Sequence, residues 1–155
     1  MPSTDRIVVT GVDEVAARLH ALPTKLQRKV LRPVMREEAK TVLEEAKKLV
    51  PVDADGHQLP GGKHLRDTLK VRVAPRRKRK GGGEVSMRIM TGTRAELGIP
   101  STEKGYYPFA LEYGSLKHQP IKFMEPAYRN TRGKVVKSAR EKILAGIEQI
   151  MRGFQ

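Results

Sequence analysis

The chain has 155 residues and no cysteine, a length that suits one domain over residues 1–155 and a composition that excludes disulfide scaffolds, thiol nucleophiles and Cys-ligated metal sites. Lys and Arg total 31 against 17 Asp and Glu, a net charge of +14, and aromatics make up 5% of the chain, so any core is aliphatic and the surface strongly cationic. No apolar run approaches the roughly 20 residues of a membrane helix, and Met1-Pro-Ser-Thr-Asp-Arg lacks the apolar stretch of a signal peptide, so a soluble chain made in the cytoplasm is expected.

Ile7-Val8-Val9-Thr10 reads as a short strand, broken by Gly11. Val12, Val15, Ala16, Leu19 and Leu22 then recur at helical spacing, with Asp13 and Glu14 in the first turn, and Pro23 ends the helix. Thr24 and Gln27 have the spacing of a capping box for a longer helix to about Leu49. Its apolar stripe runs through Leu26, Val30, Leu31, Val34, Met35, Ala39, Val42, Ala46 and Leu49, with Pro33 expected to kink it or to mark where its straight part begins. Residues 51–64, rich in Gly, Pro, Asp and His, read as a long loop.

Residues 68–73 and 85–90 each alternate apolar and polar side chains, the pattern of half-buried strands, and are expected to pair as an antiparallel hairpin with its tip at 75–83. Residues 92–105 read as a further loop. Tyr106 to Tyr113 is a third strand candidate, with Pro108 arguing for an edge position or a bulge within it. A final helix from Pro126 or Thr131 to about Met151 carries Val135, Val136, Ala139, Ile143, Ile147 and Ile150. The expected fold class is α+β: a small antiparallel sheet with a long amphipathic helix and a C-terminal helix packed on one face.

Charge is unevenly spread. Residues 1–60 are nearly balanced, whereas residues 61–100 carry eleven Lys and Arg against three acids. Arg76-Arg77-Lys78-Arg79-Lys80 is an unbroken basic run at the hairpin tip, followed by three glycines. It is either a solvated tip, a surface for the phosphates of DNA, or a dock for an acidic protein face. No aromatic lies among residues 75–90 to stack bases. His57 and His64 share a loop with Asp53 and Asp55, but no metal-binding spacing is present. Neither a nucleophile elbow nor a phosphate-binding glycine frame occurs, so no enzyme, cofactor or metal is expected.

Two stretches carry more than periodicity. One is Ala46-Lys47-Lys48-Leu49-Val50-Pro51-Val52-Asp53, followed by Gly62-Lys63-His64-Leu65-Arg66-Asp67-Thr68-Leu69. The other is Tyr106-Tyr107-Pro108-Phe109-Ala110-Leu111-Glu112-Tyr113-Gly114-Ser115, followed by Gln119-Pro120-Ile121-Lys122-Phe123-Met124-Glu125-Pro126-Ala127. Together, over about residues 11–150, they resemble the neck or tail-completion (head–tail joining) proteins of long-tailed bacteriophages, a family similar in pattern to minor tail protein Z. Ser115 stands where Thr is usual, and Ile121-Lys122 separates Pro120 from Phe123.

The resemblance implies a virion protein that forms a homo-oligomeric ring of six copies between head and tail. Its neighbours would be a head-closure or connector protein and a tail-terminator or tail-tube protein, with non-specific contact to packaged DNA and no membrane. Glu112, Tyr113 and Gly114, with the elbow of Pro120, Phe123, Met124 and Pro126, are the expected subunit contacts. Glu112 is read either as a strand end facing solvent or a nearby cation, or as the partner of a cation on the next subunit, and the elbow either as a hydrophobic staple or as an insert into a neighbour. Arg76, Arg77, Lys78, Arg79 and Lys80 are expected at the channel or the adjoining ring. The alternative, from charge alone, is a free-standing basic nucleic-acid-binding module.

Overall fold

The computed structural model describes residues 11–51, 64–74, 85–100, 111–114 and 119–153. The expected strand at 7–10, most of the 51–64 loop, the basic run 76–80 and the motif residues 106–110 and Ser115 lie outside them. The element order is α1 (Val12–His20), α2 (Thr24–Leu49), α3 (Leu65–Thr68), β1 (Lys70–Val73), β2 (Met87–Met90) and α4 (Met124–Arg152). This is the α+β arrangement expected, mostly helical with a two-stranded antiparallel sheet.

The antiparallel pair α2 and α4 is the frame of the molecule, and α1 and the hairpin pack against it. α2 runs unbroken through Pro33, which sits at an exposed position of the helix. Its buried face is Gln27, Val30, Val34, Glu38, Leu43 and Ala46, a row at spacings of three to five. Two members of that row are polar, and each is satisfied. The expected capping box at Thr24 does not form, because Gln27 turns back to donate to the Leu22 carbonyl at 2.7 Å.

Glu38 is 4% exposed and accepts from Ser138 Oγ at 2.7 Å and Lys142 Nζ at 2.9 Å, both on α4. Lys142 also reaches Glu37 at 2.7 Å, and the carboxylates of Glu37 and then Glu38 hold its pKa above the usual lysine value. This cross-helix network fixes the axial register of α2 on α4. One turn beyond Lys142 the helices lie close together: a Cβ on Gly146 would lie 2.9 Å from Val30 Cγ1.

At the other end of the pair lies the main apolar cluster, Leu43, Ala46, Val50, Leu65, Leu69, Phe123 and Ala127. Fully burying a side chain of Leu, Val or Phe size stabilises by about 1.5–3 kcal/mol. Leu65 and Leu69 reach it because Leu65–Thr68 forms a helical turn, closed by Thr68 Oγ1 donating to the Leu65 carbonyl at 2.8 Å. The first strand therefore starts at Lys70, two residues later than its alternating pattern predicts. β1 and β2 pair with Val71 opposite Ile89 and Arg72 opposite Arg88, and Ala74 N–H donating to Ser86 O at 2.9 Å extends the ladder toward the basic segment. Val71 and Ile89 pack against the cluster, while Lys70, Arg72 and Arg88 belong to the opposite face.

The stretch after β2, expected as a plain loop, holds a complete one-turn unit. Thr93 N–H donates to Glu96 Oε2 at 2.7 Å and Glu96 N–H to Thr93 Oγ1 at 3.3 Å, a reciprocal capping box. Gly98, at φ 68°, ends the turn, with Ile99 N–H bonded to Arg94 O and Gly98 N–H to Ala95 O. The unit buries Leu97 completely and Ile99 nearly so. Glu96 also pairs with Lys70 at 2.7 Å and Arg72 at 3.5 Å, tying the turn to the hairpin's outer face. The Lys70 ammonium, followed by the Thr93 N–H, holds the Glu96 carboxyl down to about 2.

Candidate functional site

The Glu112-Tyr113-Gly114 motif and the 119–127 elbow meet at the start of α4. Residues 111–113 are helical, so the expected third strand is not formed there. Gly114, at φ 82°, reverses the chain after this helical segment, a conformation a side chain would strain. The returning segment is fastened where Ile121 N–H donates to Leu111 O at 2.7 Å.

Glu112 is buried, and its carboxylate faces the N-terminus of α4. Oε2 accepts from the Phe123 N–H at 2.9 Å and the Met124 N–H at 3.0 Å, and Oε1 accepts from the Glu125 N–H at 3.2 Å. The first four N–H groups of a helix have no partner within it. Here three of those positions donate to Glu112, and the fourth is Pro126, which has no N–H to satisfy. The helix macrodipole adds attraction for the anion. Glu112 is thus a cap supplied from eleven residues upstream, and the reading of a solvent-facing strand end is replaced. Its two oxygens accept three N–H groups within its own chain.

The elbow residues divide in the same way. Phe123 is 2% exposed within the main cluster, and Met124 packs against it. Pro126 lies half-buried in the first turn of α4. Phe123 is thus packed within its own chain. Tyr113, Pro120 and Ile121 face outward, Tyr113 at 69% and Ile121 at 50% exposure. Ile121 is not among the contacts expected from the sequence, where it stands out only as part of the Ile121-Lys122 pair that separates Pro120 from Phe123. On the elbow's rim Lys122 and Arg129 bracket Glu125, each at 2.7 Å.

Among the described residues no group of three or more His, Asp or Glu is placed to hold a metal ion, and no helix is long and apolar enough to cross a membrane. His64 precedes α3, while His57, Asp53 and Asp55 lie outside the described residues. What the described surface offers is shape: a capped, rigid elbow with three exposed apolar residues, and a hairpin whose basic outer face leads toward the 76–80 run.

No curated protein and no solved structure matches the chain. Residues 13–116 match the family described as "Bacteriophage HK97-gp10, putative tail-component". That span covers α1, α2, α3, the hairpin and the capping glutamate, and so includes both motif stretches up to Ser115. The chain belongs to this family of bacteriophage tail components.

Proposed function

We propose that the protein is a ring subunit of the phage neck, assembling as six copies between the head connector and the tail to complete or join the two. The family match over residues 13–116 carries this reading, because it assigns a structural tail role and the sequence resemblance narrows that role to the neck. Its action is assembly, with no chemical step. Each copy supplies a rigid wedge, α2 locked to α4 by the Glu38–Ser138–Lys142 network. Tyr113, Pro120 and Ile121 form the contact with the next copy, and Glu112, Phe123 and Pro126 hold that surface in shape from beneath.

The head-closure protein on one side and the tail-terminator or tail-tube protein on the other are the proposed partners. Arg76, Arg77, Lys78, Arg79 and Lys80 are the residues proposed to meet DNA in the channel or an acidic face of the adjoining ring. Contacts of that kind are non-specific and weaken steeply with salt. The alternative, a basic nucleic-acid-binding module, draws support from the net charge of +14 and from Lys70, Arg72 and Arg88 sharing one hairpin face.

Native mass spectrometry over a concentration series separates the two. A hexamer that is lost in a Tyr113→Ser/Ile121→Ser variant of unchanged circular dichroism is the expected result. A chain that stays monomeric at every concentration and binds duplex DNA with a steep salt dependence refutes the ring and supports the module.

A further inference from the structure

α2 is built from two halves of different charge. From Thr24 to Arg36 it holds Lys25, Arg28, Lys29, Arg32 and Arg36 and no acid, whereas from Glu37 onward acids and bases mix and pair, Lys47 with Glu44 and Lys48 with Glu45. Lys25, Lys29, Arg32, Arg36 and Lys40 are all exposed. At about 100° and 1.5 Å per residue they fall within an arc of about 80°, along about 22 Å of helix. Neighbours in this stripe are three or four residues apart and of like charge, a spacing that weakens a helix. Lys25 also stands in the first turn, which holds no acid, although the macrodipole favours one there. One exposed line that breaks both charge rules marks an interaction surface.

Beside the stripe lies an open groove of about 620 Å³ between α2 and α4. Its walls include Leu26, Val30, Pro33, Ala145 and Ile150, and Lys29 belongs both to the groove and to the stripe. Lys142, which also lines it, is already engaged by Glu37 and Glu38. On α4 the exposed Glu141 and Glu148 stand one turn either side of Ala145. The two rims of the groove therefore differ, cationic along α2 and carrying acids along α4.

We infer that this groove receives an acidic amphipathic helix of a partner protein, its apolar face on Leu26, Val30, Pro33 and Ile150 and its acidic edge along Lys25, Lys29, Arg32 and Arg36. An apolar groove with one charged rim is what helix-in-groove recognition requires. Duplex DNA fits less well, since its phosphates gain nothing from a hydrocarbon wall and meet Glu141 and Glu148 on the far rim. A second copy brings another +14 to a surface that calls for acid.

The probe is a fluorescein-labelled peptide of about 15 residues, which spans the stripe as a helix, with Leu at three- and four-residue spacing and Glu along one edge of that face. Its binding to the full chain is read by fluorescence anisotropy beside a scrambled peptide of the same composition and a labelled DNA duplex. Two variants at exposed positions are compared, Lys29→Glu/Arg32→Glu in the stripe and Ala145→Trp in the groove, circular dichroism verifying the fold of each. The expected result is saturable binding of the amphipathic peptide, about tenfold tighter than the scrambled one and about tenfold weaker in each variant. Equal binding of the two peptides, or a groove variant that binds like the parent, overturns the inference. DNA binding that the stripe variant weakens and the peptide fails to compete makes the stripe a nucleic-acid surface, and overturns it too. Lys25→Glu relieves the charge in the first turn of α2 and should raise Tm by about 2 °C. A fall in Tm would mean that the stripe serves the fold itself, against the inference. None of these readouts depends on ring formation, so their failure leaves the proposed assembly role standing.

Discussion

Glu112 is the side chain on which the elbow depends, and replacing it gives a graded test. Glu112→Ala leaves the N–H groups of Phe123, Met124 and Glu125 without their acceptor. Loss of an N-cap costs about 0.5–2 kcal/mol, and a buried donor left unsatisfied about 1–3 kcal/mol. Phe123 is the most deeply buried of the three, and water can reach the others in part, so a total near 3 kcal/mol is expected. For a chain of this size that lowers Tm by about 6–12 °C. Glu112→Gln keeps one acceptor oxygen but loses the charge facing the helix dipole, and should cost about 1 kcal/mol. Glu112→Lys turns a cation toward the same N-terminus and should cost at least as much as alanine. Thermal and urea unfolding by circular dichroism read the series, and hydrogen exchange at residues 123–125 localises it. A series in which all three variants lie within about 0.5 kcal/mol of the parent refutes the capping role.

Two glycines of α4 should respond in opposite directions to alanine. Gly133 has open space where a Cβ would go, so Gly133→Ala gains about 0.5–1 kcal/mol in helix propensity, whereas Gly146→Ala drives a methyl into stiff Val30 and should lose about 1 kcal/mol net; a Gly146→Ala protein more stable than its parent in urea contradicts the close crossing. Glu96, with its carboxyl depressed to about 2 from an ordinary 4.5, stabilises the turn fully above pH 4.5 and loses that contribution as pH falls through about 2. An NMR titration of the Glu96 side chain and the Thr93 amide should show that midpoint, and one near 4.5 would mean the Lys70 pairing and the capping box are not populated.

The parts of the fold that the sequence disclosed are those written in local periodicity. α1, α2 and α4 follow stripes of apolar residues three and four apart, and the hairpin follows alternation in two neighbouring segments. Polar members of a buried row are invisible to that reading. Glu38 looks like a surface residue until Ser138 and Lys142 arrive from about a hundred positions away. Residues 111–113 show the opposite failure, since the aromatics before them favour a strand, whereas Gly114 ends a helical segment. The Thr93–Glu96 pair has capping-box spacing, but no long apolar run follows it to mark a helix, so the spacing alone is a weak signal. Glu112 carried no local signal for its role. A cap normally sits next to the helix it serves, and this one is eleven residues away, so its motif looked like a contact surface rather than a support.

With Leu111 O holding Ile121 and Glu112 holding residues 123–125, both ends of the excursion from Tyr113 to Pro120 are pinned to one another. The start of α4 is therefore indexed to two neighbouring residues, Leu111 and Glu112, so that a change loosening either one is transmitted to the first turn of the last helix.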